Sequence, residues 1–221
     1  MSWESSAHYY AILNREAMRR LGHPHSARCV MLSVDFGEVA QLQHAGAWDA
    51  LAERLAADAQ AIETAGAECL VLCTNTMHLV ADEIAEAVSI PMLHIADAAG
   101  AAIRAAGIGK VGLLGTAFTM EKPFYRERLQ ERFGLDVLVP DEEDRAVVHR
   151  IIYDELIVGE IREQSRATYR AAIERLVACG AQGTILGCTE IGLLVKPADS
   201  PVPLFDTTEL HALAALDFAL A

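Results

Sequence analysis

The stretch Leu70–Ala87, "LVLCTNTMHLVADEIAEA", decides how this chain is read. A short apolar run ends in Cys73-Thr74-Asn75-Thr76 and passes directly into helical spacing, the pattern of a strand that meets a helix at a polar turn. The pattern recurs. "GAECLVLCTNT" (Gly66–Thr76) aligns without gaps on "GAQGTILGCTE" (Gly180–Glu190), with Gly66 on Gly180, Ala67 on Ala181 and Leu72 on Leu186. Thr74 then falls on Cys188, and Cys73 on Gly187. Side chains alternate along a strand, so a slip of one residue moves a group to the opposite face. The repeat therefore pairs Thr74, not Cys73, with Cys188.

Outward from the repeat, short apolar runs predict strands at Cys29–Phe36, Cys69–Thr74, Met92–Ile95, Lys110–Thr116, Asp136–Pro140, Gly183–Cys188 and Val202–Asp206. Helical patterns lie between them, as at Trp48–Ala65 and Gln164–Cys179. This alternation predicts an α/β fold of two pseudo-symmetric lobes, each a doubly wound, mostly parallel sheet of about four strands flanked by helices. Residues 1–106 are expected to form the first lobe and 107–206 the second, with a C-terminal helix over 207–221 packing back on the first. The second half has four strands and the first only three, because the chain opens directly in a helix. In a sheet of order 2-1-3-4 the first strand is central. Its apparent absence from lobe 1 predicts that Cys29–Phe36 and Cys69–Thr74 lack their shared neighbour, and that Met1 is an internal methionine of a longer chain.

The 221 residues, 52% of them apolar, suffice for a sizeable core. A net charge of −13 argues against nucleic acid and anionic membrane as partners. No apolar run approaches the roughly 20 residues of a membrane helix. Five cysteines without a CxxC pair read as reduced thiols in a cytoplasmic protein. Cys29, Cys69 and Cys179 read as core or helix-packing thiols. Cys69, Cys73 and His78 do not form a metal set, because their spacing crosses a strand and changes face. No glycine-rich phosphate loop is present, since "GIGKVGLLG" does not follow a strand.

The segments "MSWESSAHYY", "SVDFGEVAQLQ", "CTNTMHLVADEI", "PMLHIADA", "GLLGTAFTMEKPFYRERL", "GCTEIGLLV" and "PLFDTTELHA" together closely resemble the aspartate/glutamate racemases of the cofactor-independent amino-acid racemase superfamily. The resemblance spans essentially the whole chain. It implies two lobes, a homodimer, no cofactor, a small anionic amino acid as substrate, and two cysteines flanking the substrate α-carbon. The second of those cysteines carries over to Cys188, in G-C-T-E. The first falls on Thr74, where this chain reads Thr74-Asn75-Thr76-Met77-His78. The resemblance also places Met1 and Gln43 at the site.

Racemisation needs a base for the α-proton and an acid on the other face. A thiolate suits the first task, and a helix start after Thr189-Glu190 is expected to lower the Cys188 pKa. Thr74 is an alcohol that stays protonated, fit to donate, to orient a water or to relay a proton, and equally fit to cap a helix near Thr76. Asn75, Thr76, Thr116 and Thr189 are expected to offer donors to a substrate carboxylate, with Glu190 beside them. Two rival readings remain: a one-thiol decarboxylase or isomerase on the same scaffold, tested with malonates or maleate, and a protein that binds acidic amino acids without turnover.

Overall fold

The computed structural model describes all 221 residues, Met1–Ala221. In chain order the elements are α1 (Trp3–Leu21), α2 (Phe36–His44), α3 (Trp48–Thr64), β1 (Leu70–Val71), a 3-10 turn (Thr76–Val80), α4 (Ala81–Glu86) and β2 (Met92–Leu93). There follow α5 (Ile95–Ala105), β3 (Lys110–Gly115), α6 (Ala117–Glu121), α7 (Pro123–Phe133), β4 (Asp136–Leu138), α8 (Glu142–Asp154) and α9 (Glu163–Ala178). The chain ends with β5 (Thr184–Gly187), α10 (Ile191–Leu194), β6 (Leu204–Asp206) and α11 (Thr207–Ala219). No helix is long and apolar enough to cross a membrane.

The chain forms two compact units. One holds residues 1–73, 77–94 and 211–221, the other residues 74–76 and 95–210. In the second unit all strands are parallel, in the order β4-β3-β5-β6. Helices cross between successive strands and cover both faces of this sheet. Consecutive strand residues are therefore both fully buried, as Leu113 and Leu114 are, and Val111 and Ile185 join them in the core. The four expected strands of this half are all present, each shorter by one or two residues at one or both ends.

The division falls between His94 and Ile95 rather than at 106/107. The cause is α5, which buries Ile95, Ala96, Ala99, Gly100 and Ile103 within the second unit. The ring of Phe133 on α7 lies so close over Gly100 that an added Cβ would stand 2.4 Å from it. Arg128 of α7 pairs with Asp97 of α5 at 2.6 Å.

The first unit departs from the expected three strands. Only β1 and β2 pair, in parallel. Residues 26–35 run without sheet pairing, and Phe36 already begins α2. A strand exists only where a neighbour takes its backbone hydrogen bonds; neither β1 nor β2 takes them from this segment. Val30, Met31 and Leu32 are accordingly 48%, 56% and 39% exposed. Packing in this unit comes from helices instead: Val39, Leu51, Leu55, Ala59, Met77, Val80 and Ile84 form its core with Leu70 and Leu72.

Candidate active site

The order β4-β3-β5-β6 reverses direction between β3 and β5: from β3 the chain moves first to β4 on one side, then to β5 on the other. Sheets of this kind bind ligands beyond the carboxyl ends of the strands at that reversal. The last paired residues there are Gly115 and Gly187. Thr116 and Cys188 follow them directly. A Cβ on Gly115 would come within 2.7 Å of the Gly187 carbonyl oxygen, so glycine permits the close approach that sets Thr116 beside Cys188.

Cys188 is 8% exposed and Glu190 4%. The Cys188 thiol donates to Glu190 Oε2 at 3.0 Å, and Thr189 Oγ1 donates to the same oxygen at 2.8 Å. Burial pushes the Cys188 thiol well above its usual range, and the adjacent Glu190 charge and hydrogen bond push it further. The expected lowering by a helix start is thus overturned. Only four residues, Ile191–Leu194, form α10, and a carboxylate is the thiol's partner. Burial likewise raises the phenols of Tyr153 and Tyr169, with the Cys188 and Glu190 charges adding to it, so both remain hydroxyls.

Thr74, Asn75 and Thr76 belong to this same unit. Thr76 Oγ1 lies 2.9 Å from Thr116 Oγ1 and 3.4 Å from Thr119 Oγ1; the last two are 3.2 Å apart. Thr116 also accepts from the Thr119 backbone N–H and caps α6. Asn75 Nδ2 donates to Thr207 Oγ1 at 3.0 Å. Thr74 is buried. A 3-10 turn starts at Thr76, where an α-helix was expected.

Seven of the expected site residues, Thr74, Asn75, Thr76, Thr116, Cys188, Thr189 and Glu190, therefore gather in one unit. Met1 and Gln43 belong to the other. There the Met1 amine donates to the Cys73 carbonyl, and buried Gln43 donates to Met77 Sδ at 3.0 Å. Cys73 is in that unit too. Its thiol turns back to the Val71 carbonyl at 3.6 Å, and burial raises its pKa to about 11. Cys29 and Cys179 are exposed and Cys69 is half-buried, so none is a core thiol. Cys29 lies on the unpaired segment, and Cys179 caps the end of α9.

Sequence reading missed Thr119 and Thr207, both fully buried here. Thr207 carried a signal. In "PLFDTTELHA" a threonine directly follows a strand and opens a helix, as Thr116 does after β3.

A profile described as Asp/Glu/hydantoin racemase matches residues 1–215. A solved structure from Yersinia pestis, described as a candidate Asp/Glu racemase, superposes with a TM-score of 0.91 at 52% identity, covering 100% of this chain and 96% of that one. An aspartate racemase homologue from Pyrococcus horikoshii gives 0.84 at 33% identity, covering 99% and 95%. A glutamate racemase of Streptococcus suis is 44% identical over 59 residues, which span 26% of this chain and 22% of that protein.

Proposed function

Because this chain belongs to the Asp/Glu/hydantoin racemase family, we propose that it racemises small acidic amino acids without a cofactor, with Cys188 as principal base and Thr74 at the opposite catalytic position. The observation that carries this reading is the thiol of Cys188 at the strand-order reversal, hydrogen-bonded to Glu190 and one residue past the Gly115–Gly187 pair.

Cys188 rests as a thiol and must lose its proton before it can take one from carbon. Glu190 Oε2 at 3.0 Å is the acceptor: the S–H bond breaks and an O–H bond forms. The thiolate then removes the α-proton, and the carbanion takes a proton from the other side. The Thr74 hydroxyl, or a water it orients, delivers that proton. An alcohol is a far weaker acid than a thiol, so delivery on the Thr74 side is slow beside return from Cys188. Glu190 releases its proton to solvent, which restores the donor on the Thr74 side and balances the cycle.

Proton NMR of L- and D-aspartate and glutamate in D₂O tests this directly. The α-proton signal of the L form is expected to disappear, because by family resemblance that proton faces Cys188. No exchange from any of the four would defeat the reading. A second reading, binding without turnover, is favoured by the alcohol at position 74 and the raised thiol pKa. It predicts aspartate or glutamate binding by calorimetry with no exchange.

A further inference from the structure

Helix α6 is only five residues long, Ala117–Glu121, and its start is held from outside. The first N–H of a helix has no partner within that helix. Here the Ala117 N–H donates to His149 Nδ1 on α8 at 3.2 Å. A backbone N–H only donates, so Nδ1 is bare, and the proton of the neutral ring sits on Nε2. Two aromatic rings fix the imidazole in this orientation. Phe118 of α6 meets it edge-on, with centroids 5.9 Å apart at 86°. Tyr153, one turn further along α8, lies 4.8 Å away at 50°. Tyr153 in turn feels the charges of Cys188 and Glu190.

The residue before Ala117 is Thr116. Its hydroxyl accepts from the Thr119 N–H and lies 2.9 Å from Thr76 Oγ1. One peptide bond ties Thr116 to the N–H that His149 holds. We infer that His149 is a positioning residue whose neutral ring anchors the start of α6, and with it Thr116, and that protonation of the ring releases both. An imidazolium carries a proton on each nitrogen and accepts no hydrogen bond, so its Nδ1–H would face the Ala117 N–H. Histidine is the side chain that changes charge between pH 5 and 8, so this anchor is lost in mild acid. The inference rests on the racemase reading and adds a control by pH to it.

The elements packed around His149 carry other titratable and charged groups. Helix α6 brings Glu121, which Arg145 of α8 holds at 3.0 Å, and Lys122 at its end. Helix α9 brings Tyr169, whose hydroxyl donates to the Val148 carbonyl, and Arg175, paired with Asp144 at 2.6 Å. Strand β3 brings Lys110 at its far end, and the turn after α8 follows Glu155, paired with Arg162 at 3.5 Å. Cys188 and Glu190 stand beyond Tyr153. All of these keep their own titrations when His149 is replaced, so differences between His149 variants belong to His149.

The test follows α-proton exchange of L-aspartate by the full chain between pH 5 and 8, beside heteronuclear NMR of the unliganded protein. The Ala117 amide signal is expected to move with the His149 ring titration, at one shared midpoint. Exchange should fall with pH through that midpoint. His149→Asn sets an amide oxygen where Nδ1 stands and does not titrate, so its profile should lose that step. His149→Leu has no acceptor and should slow exchange at pH 8 about fivefold, the worth of one hydrogen bond. His149→Asn should recover most of that loss. An acid limb unchanged in His149→Asn overturns the proposal, as does a His149→Leu rate equal to wild type at pH 8. If His149→Leu does not fold, His149→Asn and the amide titration decide, and an Ala117 signal that ignores the ring defeats the idea. Wild-type protein that exchanges no α-proton sinks the racemase reading instead, and the amide titration still decides the role of His149.

Discussion

Cys73 and Thr74 are joined by one peptide bond and belong to different compact units. Cys73 turns its thiol to the carbonyl of its own strand, whereas Thr74 enters the unit that holds Cys188. The two substitutions should therefore behave differently. Cys73→Ala is expected to retain most α-proton exchange, losing about 1 kcal/mol of stability or less through a small cavity. Cys188→Ala is expected to abolish exchange from L-substrate. Thr74→Cys should bring the inversion rate closer to the exchange rate. Equal inactivity of folded Cys73→Ala and Cys188→Ala would mean that the register of the repeat is off by one.

Glu190 accepts the hydrogen bond of the Cys188 thiol in the resting protein, so its removal should split two readouts. Glu190→Gln takes away the negative charge that raises the thiol pKa. Alkylation of Cys188 at pH 8, followed by peptide mass spectrometry, is expected to speed up, because removing that charge lowers the thiol pKa and raises the thiolate fraction. The α-proton exchange of the same variant should slow, because the acceptor for the thiol proton is gone. Faster exchange together with faster alkylation would remove Glu190 from the proton path.

Two thiols with raised pKa values also set an alkaline limit. Cys73 and Cys188 have raised pKa values when folded, so the folded state keeps protons that the unfolded chain gives up. Their contribution is fully present below the ordinary thiol pKa of about 8.5 and is lost as pH rises through the raised values, near 11 for Cys73. Melting temperatures between pH 7.5 and 10.5 should fall with pH, and less steeply in the Cys73→Ala/Cys188→Ala double variant. Identical slopes would contradict this.

The Gly115–Gly187 approach leaves no room for a side chain. Gly115→Ala places a methyl 2.7 Å from the Gly187 carbonyl oxygen. Strands β3 and β5 must separate, at a cost of about 1–3 kcal/mol, and Thr116 and Cys188 shift with them. Urea unfolding should report the loss, and exchange should fall by more than the unfolded fraction explains. Unchanged stability would show that the strands yield without strain.

A dimer is the expected assembly. Trp3, Tyr10 and Leu21 recur on one stripe of α1 and are 67%, 51% and 46% exposed. Exposed apolar stripes of this kind are commonly covered by a second copy of the chain. Light scattering at micromolar concentration should give about twice 23.9 kDa. Trp3→Asp combined with Tyr10→Asp should give a monomer. A wild-type mass of one chain would contradict it.

By itself, the sequence determined whatever depends on local pattern. The strands of the second unit are continuous apolar runs, and α3 and α9 are long periodic segments; both were legible to within one or two residues. The repeat register also came from sequence, because a Gly-Ala pair opens each copy and alternation leaves no room for a slip. Tertiary structure decided what depends on a partner from elsewhere in the chain. "CVMLSVDF" has a strand's composition but pairs with neither β1 nor β2, so it stays unpaired. Helix α5 joins the second unit because α7 offers Gly100 a ring to pack on. The Cys188 thiol is raised rather than lowered because burial and a carboxylate two residues away outweigh a helix only one turn long.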